Sequence, residues 1–360
     1  MTAFTTPVAL FVFNREAPLR RLLGVLANVR PALLLIVADG PRAAHPDDAA
    51  RCAAVRALVE RVDWPCEIRR HYADENLGCH RRIASGIDWV FGEVEEAIFV
   101  EDDLLPDPGF FGWCAAMLDR YRDVAHVLQA VGRNELVRWD AARSDHLLVH
   151  RVSPYGWATW RRAWSAARGV ALPGDPAAIT AQVDGGTLDP LVAEHYAMLH
   201  RLAVQGQLAA WDNQWALRRA LLGGHTAIPS VNLVAHDLFD DDATHNKFAG
   251  NIRGLQTIDA PPAPTRRRRA EVDNRLDRWA LLLDLLATCR NTQLAEKLSR
   301  APALIADERL RHHLAPFVAR AETVAALRHL RPLAKDPAAL DPLIALLDGE
   351  VAAGRAAVGP

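Results

Sequence analysis

Through the first hundred residues, apolar runs alternate with stretches in which apolar positions recur every three or four residues. The runs PVALFVF (Pro7–Phe13) and LLLIVA (Leu33–Ala38) are continuous rather than alternating, which predicts strands buried on both faces. Between them Leu19, Leu22, Leu23, Leu26 and Val29 share one helical face until Pro31 ends the pattern. A helix through Val55, Leu58, Val59 and Val62 follows, then a strand near Cys66–Tyr72. A helix carrying Ile83, Ile87, Val90 and Phe91 leads to a fourth strand at Ala97–Val100. Such alternation implies right-handed crossovers, hence an α/β, Rossmann-like, mainly parallel mixed sheet with helices on both faces.

Past residue 125 the pattern loosens into a stretch rich in tryptophan, glycine and polar residues, as loops and short elements shaping an acceptor site would be. APPAPT (Ala260–Thr265) reads as a stiff linker. After it come four arginines, Arg266–Arg269, and helical patterns near residues 273–289, 293–298, 307–330 and 337–347. The expected organisation is an α/β domain over 1–258 and an all-α region over 266–360 serving interaction or homodimerisation.

In open α/β sheets, ligands bind beyond the carboxyl ends of the strands. There each strand breaks into polar residues: Asn14 and Arg15 after the first, Asp39 and Gly40 after the second, Glu101, Asp102 and Asp103 after the fourth. No GxGxxG or GxxxxGK[ST] follows any strand, which disfavours a usual dinucleotide site and a P-loop. Three adjacent carboxylates repel one another unless a cation compensates them, and Mg²⁺ or Mn²⁺ with oxygen ligands is the common solution. An acidic helix cap is the plainer reading, but Asp107 followed by Pro108 already supplies that cap.

The formal net charge of −2 gives no case for nucleic acid as a partner. It hides an asymmetry: residues 1–265 carry 26 basic and 32 acidic side chains, residues 266–360 carry 16 and 12. The arginine run could touch anionic lipid or an acidic partner, although a solvated helix start after the proline linker is the favoured reading. Five cysteines without CxxC or zinc spacing suggest reduced thiols. With no basic leader and no apolar run near the ~20 residues of a membrane span, the expected location is cytoplasmic, with peripheral membrane contact open.

In order along the chain stand FVFNR, ADGPR, NLGCHRRIASGIDWVF, VEEAIFVEDDLLPDPGFF, YGWATWRRAW, WDNQW and DDATHN. Together they resemble the GT-A glycosyltransferases, more narrowly the bacterial family 2-like nucleotide-diphospho-sugar transferases. The EDD triplet is also similar to that of N-acetylglucosaminyltransferase I. The resemblance spans Pro7–Asn246 and implies a GT-A fold. It implies that Asp103 binds the metal bridging a sugar-nucleotide diphosphate, and that Glu101 and Asp102 face the ribose or sugar. Phe13, Asn14, Arg15 and Asp39 would line the base and ribose pocket, with Asn76 and Gly78 opening the helix that closes it. Arg81 or Arg82 would add positive charge near the phosphates.

WDNQW lies in a helical pattern with Trp211, Trp215 and Leu222 on one apolar face, so Asp212 is one step round from the stripe. A carboxylate there can deprotonate an acceptor hydroxyl, and the resemblance favours that catalytic role over a surface aspartate. His245 stands where a late histidine would complete the metal site. Trp160 and Trp164 are expected as a buried i, i+4 helical pair. Trp157 is expected in the preceding loop, where its ring could stack on a sugar or acceptor.

The function these readings imply is metal-dependent, inverting transfer from a nucleotide-sugar, with UDP as the expected nucleotide, to a glycan or glycoconjugate hydroxyl in surface polysaccharide synthesis. The alternatives are a non-catalytic nucleotide-sugar scaffold or sensor and a sugar-phosphate nucleotidyltransferase. The latter needs a glycine-rich loop that FNREAPLRRLLG lacks.

Overall fold

The computed structural model describes residues 4–134, 146–236, 272–274, 276, 277, 280, 281 and 345. The four expected strands form as β1 (Val8–Val12), β2 (Leu33–Ala38), β3 (Glu67–Tyr72) and β4 (Glu96–Glu101). They alternate with helices α1 (Glu16–Val29), α2 (Asp48–Val59) and α3 (Cys79–Glu93). In the sheet they run in the order β3-β2-β1-β4, all parallel. Every residue of β1 is buried, which its unbroken apolar sequence requires, whereas no residue of edge strand β3 is, which lets EIRRHY carry charges.

The chain grows outward from β1 through β2 to β3 and then returns to place β4 on the other side of β1. Right-handed crossovers therefore assign α1 and α2 to one face and α3 to the other. The reversal makes the gap between the carboxyl ends of β1 and β4 the switch point of the sheet, where such folds open a crevice.

Beyond β4 lie β5 (Leu104–Pro106), α4 (Pro108–Tyr121), β6 (Val127–Val131), β7 (His146–Val149) and β8 (Trp157–Trp160). Helices α5 (Arg161–Gly169), α6 (Pro176–Asp184), α7 (Pro190–Val204) and α8 (Trp211–Leu221) follow, then β9 (His225–Pro229) and β10 (Val234–His236). The region expected to be loops and short elements thus adds four strands to the large sheet and a fifth, β10, that pairs with β5. The described sheet has eight, in the order β3-β2-β1-β4-β8-β6-β9-β7, with β8 antiparallel to both β4 and β6.

Two expectations about the tryptophans change here. Trp157 opens a strand instead of lying in a loop, and Trp160 ends that strand as the N-cap of α5, so only Trp164 of the expected pair is helical. Four residues buried between two strands are too few to show a period of two. Asp107, by contrast, caps α4 as expected: its carboxylate accepts the Gly109 N–H at 2.8 Å, with Pro108 beginning the helix.

The main core follows the sheet, and a second cluster joins α6, α7 and α8 through Ile179, Val192, Tyr196, Leu199 and Leu217. Residues expected in the separate C-terminal region enter both: Leu276 lies in the first core and Leu281 in the second. Val272 bridges to Leu148, and the Asp277 carboxylate accepts the N–H groups of His150 at 2.6 Å and Arg151 at 2.9 Å. Packing thus crosses the expected boundary at residue 266. The linker, the arginine run, His245 and almost all the C-terminal helical patterns lie outside the described residues. Among the described residues, Cys52, Cys66, Cys79 and Cys114 are free thiols, and no helix is long and apolar enough to cross a membrane.

Candidate active site

The acidic triplet ends β4, and backbone pairing sets it beside the end of β1: Glu101 is in register with Phe11, and the Asp102 N–H donates to the Phe11 carbonyl at 3.0 Å. Asp102 is nearly inaccessible, its side chain 2% exposed against 17% for Asp103. Its carboxylate accepts the Phe13 N–H at 3.1 Å and the Arg15 guanidinium at 2.5 Å. A second arm of Arg15 reaches Asp103 at 3.0 Å. The cation inferred from the sequence to compensate these acids is thus supplied in part by the protein's own Arg15.

Compensation is incomplete. Burial, followed by the neighbouring Asp103 and Asp102 charges, holds the Glu101 carboxyl well above the usual carboxylate range. Burial also pushes Asp102 up to about 6 against the opposing pull of Arg15. Burial would lower the Arg15 pKa, but the charges of Asp102 and Asp103 outweigh it and hold the guanidinium above its ordinary value. Another cation or a proton is therefore favoured here.

Asp212 comes to this place from the far end of the domain. Trp157 stacks on Phe99 of β4 at 4.6 Å and meets Trp211 at 5.8 Å and Trp215 at 5.9 Å, while Trp164 meets Trp215 at 5.3 Å. This aromatic ladder fixes α8 against the sheet, each pair contributing about 0.5–1.5 kcal/mol beyond its buried area. Because Trp211 anchors the first residue of α8, Asp212 is carried into electrostatic reach of Glu101. The Asp212 carboxylate accepts the Asn213 N–H at 2.9 Å and, in the first helical turn, is favoured by the helix dipole. Desolvation, then Glu101, Asp212 and Asp103, push the Cys79 thiol at the start of α3 up to about 12.

The same ladder corrects the expectation for Trp157, which is 2% exposed and covered by Phe99 and Trp211. It offers no ring face to a sugar and acts as the spacer that sets Asp212. Leu222 likewise leaves the expected apolar face, being 41% exposed beyond the end of α8.

The neighbouring lip, at the end of β2, is internally bonded. Asp39 accepts the Gly40 and Leu77 N–H groups at 2.9 Å each, and the Gly78 N–H and Asn76 amide at 3.0 Å each. A Cβ on Gly40 would lie 2.4 Å from the Glu75 backbone, so only glycine lets this loop close. Gly78 caps α3 at a φ of 76°, a conformation that also favours glycine. Asp39, expected to line the base and ribose pocket, thus gathers the loop of Asn76 and Gly78 that leads into α3, where those two residues were expected. Asn14 donates to Asp48 at 2.8 Å, and Arg42 holds Asp48 at 2.6 Å while its guanidinium lies 5.3 Å from the Phe13 ring. The bonds from Arg42, aided by Asn14, hold Asp48 well below the usual carboxylate range.

No protein-family model and no curated protein matches this chain. Arg82 is withdrawn from any phosphate role, being buried and donating to the backbone carbonyls of Ala38 and His71, whereas Arg81 is exposed.

Two features escaped the sequence reading. Arg133 and Asn134 follow β6, a strand running the same way as β4, and so lie on the same carboxyl edge of the sheet. Asn134 is fixed by Asn232 and by the Pro229 carbonyl, each at 3.0 Å, and Arg133 lies 4.9 Å from the Tyr155 ring. Their signal was the same polar break after an apolar run, here VLQAV followed by GRN. The second feature is the pairing of β10 with β5, which sets His236 opposite Leu104, one residue from Asp103.

Among the described residues, no three His, Cys, Asp or Glu side chains form a group that could hold a metal ion. Asp102 is committed to Arg15 and Phe13, and Asp103 to a second arm of Arg15, so the oxygen donors at this strand end are shared with the protein's own cation.

Proposed function

We propose that this chain is a GT-A glycosyltransferase, transferring a sugar from a nucleoside-diphosphate sugar, with UDP as the nucleotide, to a hydroxyl of a glycan or glycoconjugate. The observation that carries the reading is an acidic triplet at the switch point of the sheet, incompletely compensated by Arg15, with a second carboxylate, Asp212, brought opposite it. Excess negative charge in a crevice beyond the strands suits a donor that enters with its own divalent cation.

Asp103, the more exposed aspartate of the triplet, would hold Mn²⁺ or Mg²⁺, with His245 as the expected second ligand. Such an ion, when bound, neutralises charge on the departing diphosphate. Arg15 keeps Asp102 and Asp103 together, and Phe13 and Asn14 are held at the mouth of the crevice by the Asp102 and Asp48 carboxylates. Asp212 takes the proton of the acceptor hydroxyl as its oxygen bonds to the anomeric carbon. The bond from that carbon to the diphosphate oxygen breaks, and its electron pair leaves with the nucleotide. Attack from the face opposite the leaving group inverts the anomeric centre.

Calorimetric titration with UDP, with and without Mn²⁺, tests the donor half. Asp103→Asn is expected to weaken Mn²⁺-dependent UDP binding at least tenfold while the unfolding transition stays in place. Unchanged affinity in that variant would sink the assignment. Metal-dependent binding without UDP release from any UDP-sugar would favour a nucleotide-sugar sensor.

A further inference from the structure

The connection between β7 and β8, residues 150–156, crosses the sheet instead of turning back beside its own strand. In the strand order β9 and β6 lie between β7 and β8, so this stretch spans three strand spacings, about 14 Å. Each strand it crosses bonds it. Thr226 of β9 donates its hydroxyl to the Arg151 carbonyl at 2.6 Å, and the Gln129 amide of β6 donates to the Ser153 carbonyl at 3.0 Å. From α7, the Tyr196 hydroxyl donates to the His150 carbonyl at 2.8 Å. The N–H groups of His150 and Arg151 go to the two oxygens of the Asp277 carboxylate, at 2.6 and 2.9 Å.

Asp277 is 1% exposed, and a carboxylate so deep is costly unless its oxygens accept hydrogen bonds. Its own segment is anchored on both sides: the Asp273 N–H donates to the Leu148 carbonyl at 2.9 Å, and Leu281 shares the second core with Ala216, Leu217 and Ala220 of α8. The connection that Asp277 holds ends at Trp157, on which Trp211 and the first turn of α8 rest. At the last turn of α8, Arg219 donates to the Thr226 hydroxyl at 2.9 Å, the same hydroxyl that bonds Arg151. Both ends of α8 are therefore tied to the stretch that Asp277 fixes.

We propose that Asp277 is a positioning residue for the reaction: by fixing the β7–β8 connection it seats α8 and so sets Asp212 opposite the acidic triplet. The seating of α8 rests on geometry alone, whereas its consequence for turnover rests on the glycosyltransferase reading. The donor side, built on β1, β2 and β4, is bonded instead through Arg15, Asp39 and Asp48. Loss of Asp277 should therefore separate turnover from UDP binding.

Asp277→Asn in the full chain sets an amide N–H against a backbone N–H. Hydrogen exchange resolved by segment is expected to quicken at least tenfold in residues 148–153 and 211–221 and to stay unchanged in β1 and β2. UDP release from a UDP-sugar should fall at least tenfold at unchanged UDP affinity. Tyr196→Phe, which removes one hydroxyl from the same connection and keeps the ring, should quicken exchange in the same segments, and it decides the matter if Asp277→Asn does not fold. Unchanged exchange in α8, quickened exchange in β1 and β2 as well, or UDP affinity lost together with turnover would overturn the proposal. A native chain that releases no UDP counts against the glycosyltransferase reading, and exchange in α8 then decides the positioning by itself.

Discussion

Replacing Arg15 by Gln removes the guanidinium that bridges Asp102 and Asp103 while keeping a polar side chain. Each unit-charge contact near 4 Å is worth about 4 kcal/mol at an effective dielectric of 20, offset by the desolvation of three charges. Breaking buried pairs of this kind costs about 3–5 kcal/mol, so Arg15→Gln should lose about 3 kcal/mol at pH 8. The pH dependence identifies the cause. Asp102 has a folded value raised from 3.8 to about 6, so its favourable contribution is complete below 3.8 and lost as the pH rises through 6. Without Arg15 that loss deepens and extends to higher pH, because nothing then pulls the value down. Protonation of Asp102 and Glu101 at pH 5 should therefore shrink the difference between variant and native chain to about 1 kcal/mol. Guanidinium unfolding followed by tryptophan fluorescence from pH 5 to 8 measures this. A penalty independent of pH, or below about 0.5 kcal/mol throughout, would refute the view that Arg15 acts by compensating the triplet.

Asp212→Asn should lower turnover of a UDP-sugar by about 10²–10⁴-fold, the usual contribution of a positioned base, and leave the UDP dissociation constant unchanged. Gly40→Ala should destabilise the chain by about 2 kcal/mol or more in thermal unfolding, since the Glu75 backbone at 2.4 Å cannot yield as a side chain would. His225 titrates in the opposite sense to Asp102: burial, then His150, His126 and Arg219, push it down from 6.5 to about 4. Its stability contribution is intact above pH 6.5 and falls as acid is added, by about 2 kcal/mol at pH 5, and His225→Gln should remove that part of the acid loss in denaturant titrations.

The strands β1, β2 and β4 were legible because burial on both faces leaves an unbroken apolar signature, and the cap at Asp107 because its chemistry is local. The polar strand ends marked the crevice for the same reason. Strand β8 was not legible: WATW is buried between β4 and β6 by contacts with residues tens of positions away. The roles of Asp39 and Arg82 also needed the third dimension, since nothing in ADGPR or CHRR shows that their polar atoms are taken up by nearby backbone groups.

By itself, then, the sequence determined the α/β class, the parallel half of the sheet and the concentration of carboxylates at the end of β4. These follow from local periodicity and from charge placed where a strand stops. Only the tertiary structure decided that Arg15 bridges Asp102 and Asp103, that an aromatic ladder from Phe99 to Trp211 delivers Asp212, and that Trp157 is a spacer within that ladder. Each joins residues about 50 or more positions apart. Such contacts are selected by packing and by the cost of burying charge, which leave no period in the chain.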